Sequence, residues 1–204
     1  MIVQDQSFHQ QLTFGLEKIY EAYKLLLWEQ SKKFQLTPIQ IRVLLFIAGH
    51  GRKENKVGVL AREFGMTKAT MSETVRILEQ KKLIEKQRDT GDARSFAIAL
   101  TRKGEQNIEE LQDYQRPLLD LLYTIPEERK ISFYETLTGL LHGLKKEQKL
   151  PLERHCYNCG NRRTDGARSF CMALRKPLPI EEIRLECSEH ESLQVKTNIP
   201  WKRE

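Results

Sequence analysis

Cysteine is missing from the first 155 of the 204 residues, and all four cysteines lie between positions 156 and 187. That distribution excludes a chain held together by disulfides throughout and leaves one local thiol site. Glycine is also sparse, with 11 residues scattered along the chain. No Walker loop, dinucleotide fingerprint, His-Glu-x-x-His or nucleophile elbow occurs, so the common phosphate cradles and hydrolytic centres have no footing, and a non-enzyme is expected. Long apolar runs are absent. Stretches such as 43-VLLFIA-48 are far too short to cross a bilayer, and no membrane partner is expected. The N-terminal MIVQDQSFHQQ has no basic region followed by an apolar one, so no signal peptide is expected either. These absences predict a soluble cytoplasmic protein.

Positive charge is what the chain has in excess, and it is unevenly spread. The formal net charge is +6, while residues 52–103 alone hold 13 Lys/Arg against 7 Asp/Glu. An excess gathered in one stretch suits a polyanion partner, although a solvated charged surface would have the same composition.

Apolar periodicity predicts a mainly α fold. Over 7–34, Leu12, Leu16, Ile19, Tyr23, Leu26 and Leu27 recur at helical steps, and Ser7 with Gln10 forms a capping box. In 36-LTPIQ-40 a second helix begins with Thr37 as cap, Pro38 in the first turn and Gln40 completing the box. A short helix over 57–64 is closed by Gly65, and Thr67 caps the next one, 67–82. Two helices across a tight Gly-containing turn make a helix-turn-helix. The period then changes to two in 95-SFAIALT-101, where Phe96, Ile98 and Leu100 would share one face of a strand. With 83-LIEKQR-88 before the charged turn, this predicts a two-stranded wing. Helices resume at 102–123, which Pro117 should kink or divide, and at 126–147.

On a helical projection of 67–82, Val75, Met71, Leu78, Thr74, Thr70 and Ile77 fall on one arc. Lys68, Ser72, Arg76, Ala69, Glu73 and Gln80 fall on the opposite one. Lys and Arg suit phosphates and guanine edges, Ser bonds to either, and Ala touches a thymine methyl. An ordinary amphipathic surface helix would also have two faces; the basic wing that follows favours a DNA reader. The helix would enter the major groove and the wing, 88–96, would follow the backbone or reach into the minor groove, with Arg88 and Arg94 as its contacts. Asp92, two residues before Arg94, could brace that guanidinium or simply form the turn.

The order of elements, together with 70-TMSETVRILEQKKLI-84, 92-DAR-94 and 100-LT-101, resembles the MarR family of winged-helix transcription regulators over residues 7–147. The resemblance implies a homodimer built by the first helix and the last two, each subunit supplying one recognition helix and one wing. It implies double-stranded DNA as partner, probed at a near-palindromic operator, and a repressor released by a small-molecule effector or by thiol oxidation. Lys68, Ser72, Glu73 and Arg76 are then the groove-facing residues, with Ala69, Thr70, Arg88, Asp92 and Arg94 completing the DNA-binding set. The apolar residues of 117–144, from Leu118 to Leu144, exceed what a terminal helix pair needs and fit a dimer independently. Two departures stand out: Lys82 occupies a position where Gly commonly closes the recognition helix, and the tail after 150 is not part of the usual fold.

That tail divides the chain into a winged-helix and dimerisation domain, 1–149, and a small Cys-rich module, 150–204. It carries Cys156-x2-Cys159-x11-Cys171-x15-Cys187. One Cys-x-x-Cys knuckle with two further thiolates can close a tetrahedral zinc site, which would supply folding energy to an apolar-poor segment. The same thiolates could hold an iron–sulfur cluster, or remain free or be oxidised. His155 and His190 flank the cluster; such a His is more commonly a surface residue, though either could replace Cys171 or Cys187. Two rival functions follow: a metal- or redox-active protein with the helices as dimer scaffold, or an adaptor whose wing contacts protein.

Overall fold

The computed structural model describes residues 7–88, 96–146, 154–166 and 168–191. These fall into two compact units. One holds the described residues up to Arg62 together with Met66–Thr124; the other holds Glu63–Gly65 and the described residues from Ile125 on.

In the first unit, α1 spans Phe8–Phe34, α2 Pro38–Gly49, α3 Val57–Glu63 and α4 Lys68–Gln80. The expected caps are present. Ser7 and Thr37 each close a capping box with Gln10 and Gln40, and Thr67 accepts from the Thr70 N–H. The core lies where α2, α3 and α4 meet the wing and α5 (Arg102–Gln112): Ile41, Val43, Leu44, Leu60, Met71, Leu78 and Leu111 are wholly buried. Pro117 falls at the start of α6 (Arg116–Tyr123), after a 3-10 turn over Asp113–Gln115, so the predicted 102–123 helix is divided there. Proline lacks the N–H that a continuous helix would need and is tolerated only in a first turn. Tyr23 on α1 meets Tyr114 through their hydroxyls at 2.6 Å, and Gln115 donates to both. Burial, and next the Tyr23 hydrogen bond, push the Tyr114 phenol up to about 12.

The wing is a two-stranded antiparallel sheet, β1 (Ile84–Arg88) and β2 (Phe96–Leu100), with Ile84 opposite Leu100 and Arg88 opposite Phe96. Its facing differs from the expected alternation. Ala97 and Ile98 are both buried and Phe96 is exposed. The Ile98 N–H bonds to the Asn55 carbonyl at 2.7 Å, so the 50–56 connector covers the base of β2. Asn55 is itself buried, donating its side-chain amide to the carbonyls of Ile47 (3.1 Å) and His50 (3.0 Å).

The second unit contains α7 (Glu127–Lys146) and the tail. The tail forms an antiparallel three-stranded sheet, β3 (Arg162–Asp165), β4 (Arg168–Cys171) and β5 (Lys176–Pro177), which the weak periodicity of the segment did not predict. Cys156, Cys171, Leu178 and Ile183 form its core, against which Tyr134 of α7 packs. The Tyr134 hydroxyl donates to the Ile183 carbonyl at 2.6 Å.

Candidate nucleic-acid interface

The α4 helix is two-faced by sequence, and burial follows the projection. Met71, Thr74, Val75 and Leu78 are buried, each large apolar side chain stabilising by roughly 1.5–3 kcal/mol. Lys68, Ala69, Ser72, Glu73, Arg76 and Gln80 are exposed. Thr70 departs from its arc. It is exposed because, one turn from the N-terminus, its hydroxyl pairs with that of the cap Thr67 at 2.8 Å instead of packing inward.

The outward face carries one pre-formed ion pair. The Arg76 guanidinium donates to both Glu73 carboxylate oxygens, Nε to Oε2 at 2.7 Å and Nη2 to Oε1 at 2.5 Å. This hydrogen-bonded pairing holds the Glu73 carboxyl below its usual range and Arg76 above its own. Lys68, the first residue of the helix, is exposed as well.

The junction between α4 and the wing explains Lys82. The Leu83 N–H bonds to the Leu78 carbonyl (3.1 Å) and the Lys82 N–H to that of Glu79 (2.9 Å), which is a Schellman ending. Its left-handed position is Lys82, at φ 58°. A lysine there takes the conformation that glycine adopts without cost. The wing's other root is fixed by Thr101. Its hydroxyl donates to the Lys82 carbonyl (2.7 Å), and its N–H donates to that of Leu83 (3.0 Å). The same hydroxyl accepts from Gly104 (3.1 Å), capping α5. Gly104 is required by contact: a Cβ there would lie 2.1 Å from the Leu83 carbonyl oxygen. The sequence marks Thr101 only within 100-LT-101, without its role as a cap, and does not single out Gly104. Thr-x-x-Gly before a helical run is a readable cap, whereas the close approach of Leu83 is not local.

Arg88 is exposed at the end of β1, and Lys86 on the same strand pairs with Glu79 of α4 at 2.7 Å. Asp92 and Arg94 lie outside the described residues, so the expected brace between them has no geometry to compare.

A groove of about 770 Å³ runs between α1 and α2, lined by Tyr20, Tyr23, Trp28 and Pro38, with Lys24, Arg42 and one carboxylate, Glu21, as its charged residues. Elsewhere α1 and α6 are unusually apolar outside: Phe8, Leu12, Ile19, Leu121 and Tyr123 are 49–77% exposed. On α7, Phe133, Leu140 and Leu144 are about half exposed. None of the apolar residues named for the dimer between 118 and 144 is buried within the chain.

In the tail, Cys156, Cys171 and Cys187 are buried, Cys159 is half-buried, and all four are free thiols. Burial pushes the Cys156 thiol up, opposed by the Arg184 N–H, with the three other cysteines adding to the rise. Among the described residues no three His, Cys, Asp or Glu side chains are set, as they stand, to hold a metal ion. His155 is buried rather than on the surface, because its Nδ1 accepts from the Tyr157 N–H (3.2 Å) and caps the Cys156–Asn158 turn. His190 places Nε2 at 3.0 Å from the Asn158 side-chain oxygen.

Among the described residues, no helix is long and apolar enough to cross a membrane. A model of the MarR family matches residues 34–95, from the end of α1 to the wing. No curated protein matches the chain. Among solved structures, a MarR family protein from Bacillus stearothermophilus is 26% identical, with 66% of this chain and 94% of that one covered and a TM-score of 0.56. A S. aureus MepR mutant is 25% identical over 65% of this chain and 97% of that one, with a TM-score of 0.53. The S. aureus MepR–DNA complex, at 23% identity, covers 69% of this chain and all of that one with a TM-score of 0.56. The fold of this chain is the mainly helical MarR winged helix, carrying a Cys-rich tail.

Proposed function

We propose that the chain is a MarR-type, homodimeric, sequence-specific DNA-binding regulator, acting as a repressor in the cytoplasm rather than as an enzyme. The observation that carries this reading is the outward face of α4. Lys68, Ala69, Thr70, Ser72, Glu73 and Arg76 present charge, hydroxyls and a methyl on one exposed surface, while the opposite face is fixed in the core. Such a helix positions its side chains on major-groove edges, and Arg88 with Asp92 and Arg94 of the wing would add backbone or minor-groove contacts. The S. aureus relative was solved with DNA, which supports the same partner here.

Dimerisation is supported by the apolar outer faces of α1, α6 and α7. Monomers rarely leave so many large apolar side chains in water, and a two-fold partner would cover them. Two recognition helices one DNA turn apart favour a near-palindromic operator. The groove between α1 and α2, with an aromatic lining and two cations to one carboxylate, suits a small aromatic acid as effector. A ligand that favours one spacing of the reading heads would shift DNA affinity by that preference.

The test is duplex binding against salt. A regulator loses affinity steeply as salt rises, with a log–log slope of about −0.9 per phosphate neutralised. Arg94→Ala should abolish specific binding with the circular dichroism spectrum unchanged; normal operator binding by that variant would remove the wing from the reading.

A further inference from the structure

We propose that Cys156, Cys159, Cys171 and Cys187 form one four-thiolate zinc centre that closes the tail. The inference does not rest on the DNA reading, and it starts from how the backbone brings the four residues together.

The first two cysteines sit on one turn. The 3-10 segment Cys156–Asn158 ends with the Cys159 N–H bonded to the Cys156 carbonyl, so both side chains leave a single knuckle. Cys171 is brought beside it by the sheet. It ends β4 directly opposite Arg162, three residues after Cys159. Cys187 is brought by the turn that follows it. The Gly160 N–H bonds to the Glu191 carbonyl (2.6 Å), and the Asn161 side chain donates to the Glu189 carbonyl (3.2 Å). His190 fastens the same turn to Asn158.

Two of the sulfurs already receive backbone donors. The Arg184 N–H points at Cys156 Sγ (3.2 Å) and the Leu174 N–H at Cys171 Sγ (3.4 Å). A neutral thiol is a weak acceptor, so amides aimed at sulfur suit a thiolate, and they form the outer shell that orients metal-bound ligands. Leu174 lies three residues after Cys171 and is followed by Arg175 at φ 52°, so the chain wraps round that sulfur as a second turn.

One Cys-x-x-Cys knuckle with two further thiolates is the ligand set of a closed tetrahedral zinc site. Cys156 and Cys171 share one apolar cluster with Leu178 and Ile183. The sulfurs are not in ligating positions as they stand. Binding would draw them inward: zinc replaces one thiol proton on each cysteine, four protons leave to solvent, and no electron is transferred. The core of the tail is small, so this closure would supply much of its stability. Tyr134 and Tyr157 would carry the effect to α7, where Tyr134 bonds to Ile183 and Tyr157 lies 3.4 Å from the Thr138 hydroxyl.

The experiment is elemental analysis of the full chain purified without air or added metal, with zinc release followed as the thiols are titrated with a mercurial reagent. About one zinc per chain, released as four thiols are consumed, is expected. Cobalt(II) added to the metal-stripped chain should give tetrahedral tetrathiolate absorption, and zinc should bleach it. Cys159→Ser and Cys187→Ser should each lose that spectrum while the helical signal of the first unit persists. Metal-free protein with four thiols already reactive, iron with or without sulfide, or full zinc content in the two serine variants would each overturn the assignment.

Discussion

Replacing Gly104 by alanine isolates the joint that sets the wing against the recognition helix. Two effects oppose each other. Alanine is the better helix former by about 1 kcal/mol, and Gly104 lies in the first turn of α5, so propensity alone predicts a gain. Against this, the added Cβ would fall 2.1 Å from the Leu83 carbonyl oxygen and 3.3 Å from Leu100 Cδ2. The first neighbour is backbone, and that same carbonyl accepts the Thr101 N–H, so it cannot rotate away without breaking the wing's root. Overpacking of this kind costs about 1–3 kcal/mol, and a backbone obstacle places it at the upper end. A net loss of about 2 kcal/mol is expected, or about 4–8 °C in Tm for a chain of this size. Urea and thermal unfolding of Gly104→Ala and wild type measure it. Gly49→Ala is the comparison, because nothing lies within 4 Å of its Cβ position; it should be neutral or slightly stabilising. A Gly104→Ala protein as stable as wild type would refute the close approach and the joint built on it.

Other expectations follow from the same surface and core. Lys82→Gly should stabilise by up to about 1 kcal/mol, since the left-handed position at φ 58° is glycine's own, and chemical denaturation reads the sign. Glu73→Gln frees Arg76 and removes a carboxylate from the DNA-facing side. Duplex affinity should rise and the log–log salt slope should steepen by about one phosphate, measured by fluorescence anisotropy. Tyr114, with its folded value raised to about 12 above an ordinary 10.0, contributes stability that is complete below pH 10 and lost as pH climbs through 12. Tyr114→Phe should flatten that alkaline limb and cost about 1 kcal/mol at neutral pH from the lost hydroxyl contacts.

Much of the first unit was legible because its signals are local. Ser7, Thr37 and Thr67 announce helix starts within three residues of themselves, and the 3.6-residue period separates Met71, Val75 and Leu78 from Lys68, Ser72 and Arg76. Pro117 divides its helix for a reason carried by one residue. Features set by distant chain were not legible. Gly104 matters because Leu83 passes it, Asn55 because it covers the base of β2, and Phe96 is exposed although its period matches that of Ile98. The β3–β4–β5 sheet was missed since RRTD and RSFC alternate no apolar residues; its order comes from neighbours around the cysteines. His155 was read as a surface residue and is buried, because its imidazole is used as a cap.

The central claim is that the outward face of α4 reads a DNA sequence as part of a dimer. The most direct test is selection from random duplexes with the full-length protein, repeated with Arg76→Ala. The account predicts one enriched near-palindrome, half-sites about one helical turn apart, with Arg76→Ala relaxing the preference at one base pair of each half-site and costing about 1–3 kcal/mol there. An unenriched pool, or an enriched site read identically by Arg76→Ala, Lys68→Ala and Ser72→Ala, would contradict it.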